Sequence, residues 1–130
     1  LRYTQCTPHT SYGPKQLLIL DTVGILSSVY SYATWSYIGG GFGVGIHNTL
    51  EAATFGLPVA FGPNYQKFKE ARDLVTLGAA RSINDYDELR AWFVPLRDNE
   101  EFLQKTSRIA KDYTTRHQGA TGIIFRTIFN

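Results

Sequence analysis

Through the first two thirds of the chain, short and nearly continuous apolar runs alternate with segments whose apolar residues recur at helical spacing. Gln16–Leu20 (QLLIL), bounded by Gly13-Pro14 and Asp21, reads as a buried strand. Ile25, Leu26, Val29, Tyr30 and Ala33 then mark one face of a helix. Trp35–Ile38 (WSYI) predicts a second strand, closed by a glycine cluster, and Pro58–Phe61 (PVAF) a third. Between them lies a short helix, His47–Phe55, ended by Gly56. Phe68, Ala71, Leu74 and Val75 line the next helix, over Tyr65–Leu77, which Gly78 stops. Ala79–Ile83 predicts a fourth strand, and Arg2–Gln5 carries a weaker strand signal.

From Asp85 onward the strand signals cease. Tyr86, Leu89 and Phe93 form a helix face up to Pro95; Phe102, Thr106, Ile109 and Tyr113 form a second, and Ile124, Phe125 and Ile128 a third. Strand–helix alternation with apolar strands predicts a doubly wound, Rossmann-like α/β domain: a parallel sheet with helices on both faces and a helical C-terminal tail. The 130 residues suffice for one domain with its own core. A net charge of +2 gives no reason to expect nucleic acid. The single cysteine, Cys6, excludes an internal disulfide. No apolar run approaches the roughly 20 residues of a membrane span, and no signal segment opens the chain. Methionine is absent altogether, so the chain is expected to be a processed or excised piece of something longer, itself soluble.

Parallel α/β sheets bind ligands outside the carboxyl ends of their strands. Four loops are selected by that rule: Asp21–Gly24, Gly39–Asn48, Gly62–Asn64 and Asn84. The richest is GGGFGVGIHNTLE, Gly39–Glu51, with five glycines in seven residues between a strand and a helix. Such a loop brings main chain close to a ligand, and the amides that open the next helix favour an anion. No frame gives the dinucleotide fingerprint or a P-loop, which disfavours both chemistries.

Asn48 and Glu51 have two readings. One is a capping box, with Asn48 as the N-cap and Glu51 folded back onto the main chain. In the other, Glu51 holds a ribose diol while neighbouring amides, Gly39–Gly41 among them, hold a phosphate. His47 either donates to that phosphate or is a plain loop residue. Asp21, with Thr22 and Gly24, either contacts ligand hydroxyls or ties its own loop. Asn64 is a ligand contact or the N-cap of the Tyr65–Leu77 helix, and Lys67 and Lys69 are phosphate partners or a solvated face. Cys6-x-x-His9 is too isolated for a metal site, the three histidines show no ligand spacing, and no cofactor or metal is expected. Trp92 and Phe93 read as core, and no nucleophile–base motif can be assembled.

Asp21–Ala71 resembles the donor-side domain of 3-deoxy-D-manno-octulosonic acid (Kdo) transferases. Three motifs carry the likeness in order: D-T-x-G-x-L at Asp21–Leu26, a glycine loop into H-N-x-L-E at Gly39–Glu51, and G-P-x-x-x-x-F at Gly62–Phe68. His117-Gln118-Gly119-Ala120 is similar to the family's C-terminus. The resemblance implies one half of a two-domain GT-B glycosyltransferase, with residues 1–130 as most of the C-terminal CMP-sugar domain. The implied reaction moves Kdo from CMP-Kdo to the lipid A precursor during lipopolysaccharide assembly, at the cytoplasmic face of the bacterial inner membrane. Gly39, Gly40, Gly41, His47 and Asn48 would surround the CMP phosphate, Glu51 would hold the ribose, and the Asp21–Leu26 loop would lie near the cytosine. The family's general-base glutamate, acceptor site and membrane contact precede this region, so no catalytic residue is expected here. Ile25 stands where many members carry an acid, which leaves any base contact from that position open. Two competing classes are another GT-B transferase or a UDP-sugar epimerase, and a non-catalytic interaction domain in which Glu51 only caps.

Overall fold

A computed structural model describes residues 1–11, 13–14 and 17–129, with side chains as far as His117. Three strands, β1 (Ser36–Ile38), β2 (Val59–Phe61) and β3 (Ala80–Ser82), form a parallel sheet in the order β1-β2-β3. Ser36 pairs with Val59 and Ile38 with Phe61; Val59 pairs with Ala80 and Phe61 with Ser82. Parallel neighbours cannot be joined by a tight hairpin, and α2 (Leu50–Thr54) and α3 (Lys69–Leu77) make the two crossovers. α1 (Leu26–Tyr30) precedes β1, and α4 (Tyr86–Asp98) and α5 (Glu100–Phe129) follow β3. The parallel α/β class with a helical tail is thus the one adopted. Because the strands follow chain order, the loops after β1 and β2 leave the sheet side by side.

All three residues of the central strand β2 are buried, and Phe61 and Leu74 are wholly so. Ala52 and Ala53 of α2, Ala71 of α3 and Ala110 of α5 are also fully buried. Small side chains at these contacts let helix axes approach, and α5 packs on α2, α3 and α4. Phe93 meets Trp35 edge-on at a centroid distance of 4.9 Å, but Phe93 and Trp92 are only half-buried and stand outside the core cluster, contrary to the core role expected for them.

Several predicted boundaries are corrected. The buried strand expected at Gln16–Leu20 is a single parallel bridge between Ile19 and Arg2, with Leu17 69% and Leu18 48% exposed; Gln16 lies outside the described residues. An apolar run records a preference for burial but not what covers it. The weaker strand Arg2–Gln5 is that same bridge followed by a 3-10 turn, Tyr3–Gln5. α3 begins at Lys69 rather than Tyr65, because Phe68 is extended and packs its ring against Gly45. α4 continues through Pro95 to Asp98: the proline sits in the last turn, where its missing N–H costs one hydrogen bond. The two helices expected after Asn99 are one, α5, with Gly119 and Gly122 inside it. A helical glycine weakens without breaking, at about 1 kcal/mol relative to alanine. The side chains of Ile124, Phe125 and Ile128, and of Gln118 through Ala120, lie outside the described residues.

Tyr113 joins α5 to α3 by donating its hydroxyl to Asp73 Oδ2 at 2.8 Å. Burial first, then this hydrogen bond, push the phenol up to about 12. Lys69, and then Tyr113, hold the Asp73 carboxyl below its ordinary value. Since the folded phenol titrates higher than the unfolded one, its contribution is complete below about pH 10 and lost as pH rises toward 12. Asp73 is shifted down, so its contribution is present above pH 4 and fades as pH falls through the lower folded value. Tyr113→Phe is expected to cost about 1 kcal/mol at pH 7. Urea denaturation should show that the alkaline loss of stability flattens in the variant. A wild-type profile as flat as the variant's above pH 10 would contradict this.

Candidate functional site

β1 runs directly into the glycine loop, which doubles back on itself. Gly40, at φ +89°, turns the chain so that its carbonyl accepts from the Gly43 amide at 3.0 Å and the Gly45 amide at 3.3 Å. The His47 N–H closes the neck by donating to the Gly39 carbonyl at 3.2 Å. A Cβ on Gly40 would strike the Gly45 carbonyl oxygen, so the turn needs glycine both for its torsion and for its space. Phe42 and Val44 stand exposed at the tip.

The loop after β2 crosses this turn main chain on main chain: a Cβ on Gly41 would lie 2.5 Å from the Gly62 nitrogen. Asn64 then ties the two together. Its N–H donates to the Gly41 carbonyl at 2.9 Å and its Nδ2 to the Gly43 carbonyl at 2.7 Å. Asn64 therefore caps no helix, contrary to one of its predicted readings, because the chain from Tyr65 to Phe68 turns before α3 begins.

At the start of α2, Asn48 Oδ1 accepts the Leu50 amide at 3.0 Å. That is an Asx-type turn made from the residue before the N-cap, because Thr49 and not Asn48 holds the N-cap position. The expected capping box is therefore not formed, and its Glu51 half is missing too. Glu51 is exposed, and its carboxylate makes no hydrogen bond or ion pair among the described residues. α2 has only five residues, too few for a strong macrodipole. With the Leu50 amide held by Asn48, only the Glu51 and Ala52 amides of its first turn are without a hydrogen bond among the described residues.

His47, Asn48 and Thr49 line a hollow of about 320 Å³ with Ile46, Leu50, Phe68 and Glu70. Two neighbours escaped the sequence reading. Glu70 enters the hollow only because α3 starts at Lys69, a boundary set by Phe68 packing and not by local propensity. Tyr30 is near enough to Glu51 that burial, and then the Glu51 charge, push its phenol up. Its place on the apolar face of the preceding helix was legible, but not its nearness to Glu51.

The Asp21 loop behaves differently. The Asp21 carboxylate accepts from the Thr4 N–H at 3.0 Å and the Thr4 hydroxyl at 2.7 Å, with Arg2 at 3.9 Å. The Thr4 amide bond, then the hydroxyl bond, hold its pKa down. Asp21 thus ties its own segment, as the plainer of its two readings has it. Thr22 and Gly24 are exposed, and no hydrogen bond among the described residues joins them to the glycine loop. Lys69 pairs with Asp73 along α3. A larger hollow, about 510 Å³, lies between α3 and α5 beside Asp73 and Tyr113, away from these loops. Among the described residues no three His, Cys, Asp or Glu side chains gather as a metal site would require. No helix among them is long and apolar enough to cross a membrane.

A parallel α/β sheet places the loops that follow its strands where sheets of this class bind ligands, and here that rim carries the glycine turn and a carboxylate without a hydrogen bond among the described residues. No family model matches the chain. Its sequence is 38% identical over 94 residues to the 3-deoxy-D-manno-octulosonic acid transferase of Rickettsia prowazekii, covering 71% of this chain and 20% of that one. It is 32% identical over 82 residues to the enzyme of the same name from Chlamydophila psittaci, covering 61% and 19%. The Aquifex aeolicus transferase is 31% identical over 75 residues, covering 56% and 21%. Among solved structures, the C-terminal CMP-Kdo binding domain of WaaA from Acinetobacter baumannii has the same fold. It superposes with a TM-score of 0.59 at 23% identity, over 72% of this chain and 52% of that one. The chain is therefore related to the Kdo transferases, and it spans about a fifth of the length of the curated relatives it matches.

Proposed function

We propose that residues 1–130 form the donor-binding domain of a Kdo transferase, taking CMP-Kdo and delivering Kdo to a lipid A precursor in lipopolysaccharide assembly. The observation that carries the reading is the Glu51 carboxylate, exposed and without a hydrogen bond or ion pair among the described residues, just beyond a pre-folded glycine loop. In this reading the Gly39–Gly41 main chain and the His47 side chain receive the phosphate, Asn48 fixes the start of α2, and Glu51 accepts hydrogen bonds from two ribose hydroxyls. Displacement of CMP at the anomeric carbon puts charge on the leaving phosphate. Donors already in place for it lower that barrier without having to reorganise. A general base, the lipid acceptor site and contact with the inner membrane's cytoplasmic face come from a preceding domain, so the 130 residues bind donor and transfer nothing alone. Asp21, Thr22 and Gly24 are less favoured as ligand contacts, since the Asp21 carboxylate already has Thr4.

Calorimetry with CMP, UDP and GDP tests this directly. CMP is expected to bind at least about 10-fold more tightly than the other two, a difference of about 1.4 kcal/mol. Equal affinity for UDP would favour another nucleotide-sugar enzyme. No heat with any of the three, and no nucleotide-dependent rise in melting temperature, would leave a non-catalytic interaction domain.

A further inference from the structure

Asn64 turns both its main chain and its side chain onto the glycine loop, at the Gly41 and Gly43 carbonyls. Those two carbonyls flank exposed Phe42, so one residue brackets the loop's tip. The Gly41 main chain lies directly against that of Gly62, and the Phe68 ring lies against Gly45. Glycines lose more freedom on ordering than any other residue. A loop left for the ligand to order would weaken binding by that entropy.

We infer that Asn64 is a positioning residue, which orders the glycine loop before ligand arrives and does not itself touch the nucleotide. The inference rests on the nucleotide-binding reading above. The chemistry at the Gly43 carbonyl is selective: it requires a donor, which the Asn64 carboxamide supplies. Alanine removes the donor, and aspartate sets an acceptor against an acceptor.

The test pairs amide hydrogen exchange of the ligand-free protein, resolved by NMR, with CMP calorimetry on the same samples. The amides to watch are those of Gly43 and Gly45, both held by the Gly40 carbonyl. In Asn64→Ala and Asn64→Asp they are expected to exchange at least about 3-fold faster, while β2 amides keep the wild-type rate. CMP affinity should fall about 3- to 10-fold, the usual worth of one neutral hydrogen bond. Weaker CMP binding with unchanged loop exchange would mark Asn64 as a direct ligand contact and overturn the inference. So would acceleration spread equally over β2, which marks general destabilisation; the aspartate variant, with its near-native shape, guards against reading a misfolded alanine variant. If wild type binds CMP and both variants match it, the role of Asn64 fails alone. If wild type takes no CMP, the reading of the site fails.

Discussion

Replacing Glu51 with glutamine is expected to weaken CMP binding about 10- to 100-fold, the cost of one charge-assisted hydrogen-bonding group at about 1.5–3 kcal/mol. The ligand-free protein should keep its stability to within about 0.5 kcal/mol, as surface substitutions usually do. Two competing roles make opposite demands on this residue. A capping glutamate would stabilise the helix start, and its loss would cost stability and leave affinity alone. A ribose-binding glutamate must be free of the main chain when the site is empty. The folded chain has the second arrangement: Asn48 accepts the Leu50 amide, but no reciprocal bond from Glu51 is made among the described residues. Glutamine keeps the size of the side chain and one acceptor oxygen, so lost affinity reports the charge and the second acceptor. The Tyr30 phenol supplies a readout independent of ligand. Burial raises it first and Glu51 second, so it should titrate lower in the glutamine variant while staying above its ordinary value. A melting curve displaced downward with CMP affinity intact would return Glu51 to a purely structural role.

The parts of this site that were legible in the sequence are those fixed by local chemistry. A glycine run between a strand and a helix announces a close turn, and Asn48 does stabilise the start of α2 as its residue type suggests. The parallel sheet was legible for a similar reason, since β-branched and aromatic runs such as Pro58–Phe61 have few ways to be buried on both faces. What stayed hidden depends on contacts across the fold. Asn64 looked like a helix cap because a helix pattern follows it, yet Phe68 packs against Gly45 and delays the helix to Lys69. The same delay places Glu70 in the hollow beside His47 and Asn48. Leu17, Leu18 and Ile19 have a strand's composition but, among the described residues, pair only through the Ile19–Arg2 bridge, so composition alone overstated their burial. The motif likeness was stronger than any of these local signals because it joined three loops in order, and the relatives are indeed Kdo transferases.

Gly40→Ala is expected to destabilise the protein by roughly 2–5 kcal/mol, combining about 1–2 kcal/mol for a left-handed backbone with about 1–3 kcal/mol for overpacking. Both terms act at this residue: φ is +89°, and the added methyl meets the Gly45 carbonyl oxygen, a main-chain atom that cannot rotate away as a side chain would. Relief would require the Gly40 carbonyl to release the Gly43 and Gly45 amides, which opens the turn. Gly43→Ala is the matched control, three residues along the same loop. Its nearest neighbour to an added Cβ is the Gly40 carbonyl oxygen at an ordinary 3.7 Å, and its φ is not positive. That variant should therefore fold with a stability change below about 0.5 kcal/mol. Chemical denaturation of the pair isolates the geometry of the turn from glycine content as such. The CMP affinity of Gly40→Ala, measured below its melting temperature, then asks whether the turn also serves the ligand. Equal stability losses in the two variants would mean that general loop flexibility, and not the doubled-back path through Gly40, is what the glycines provide.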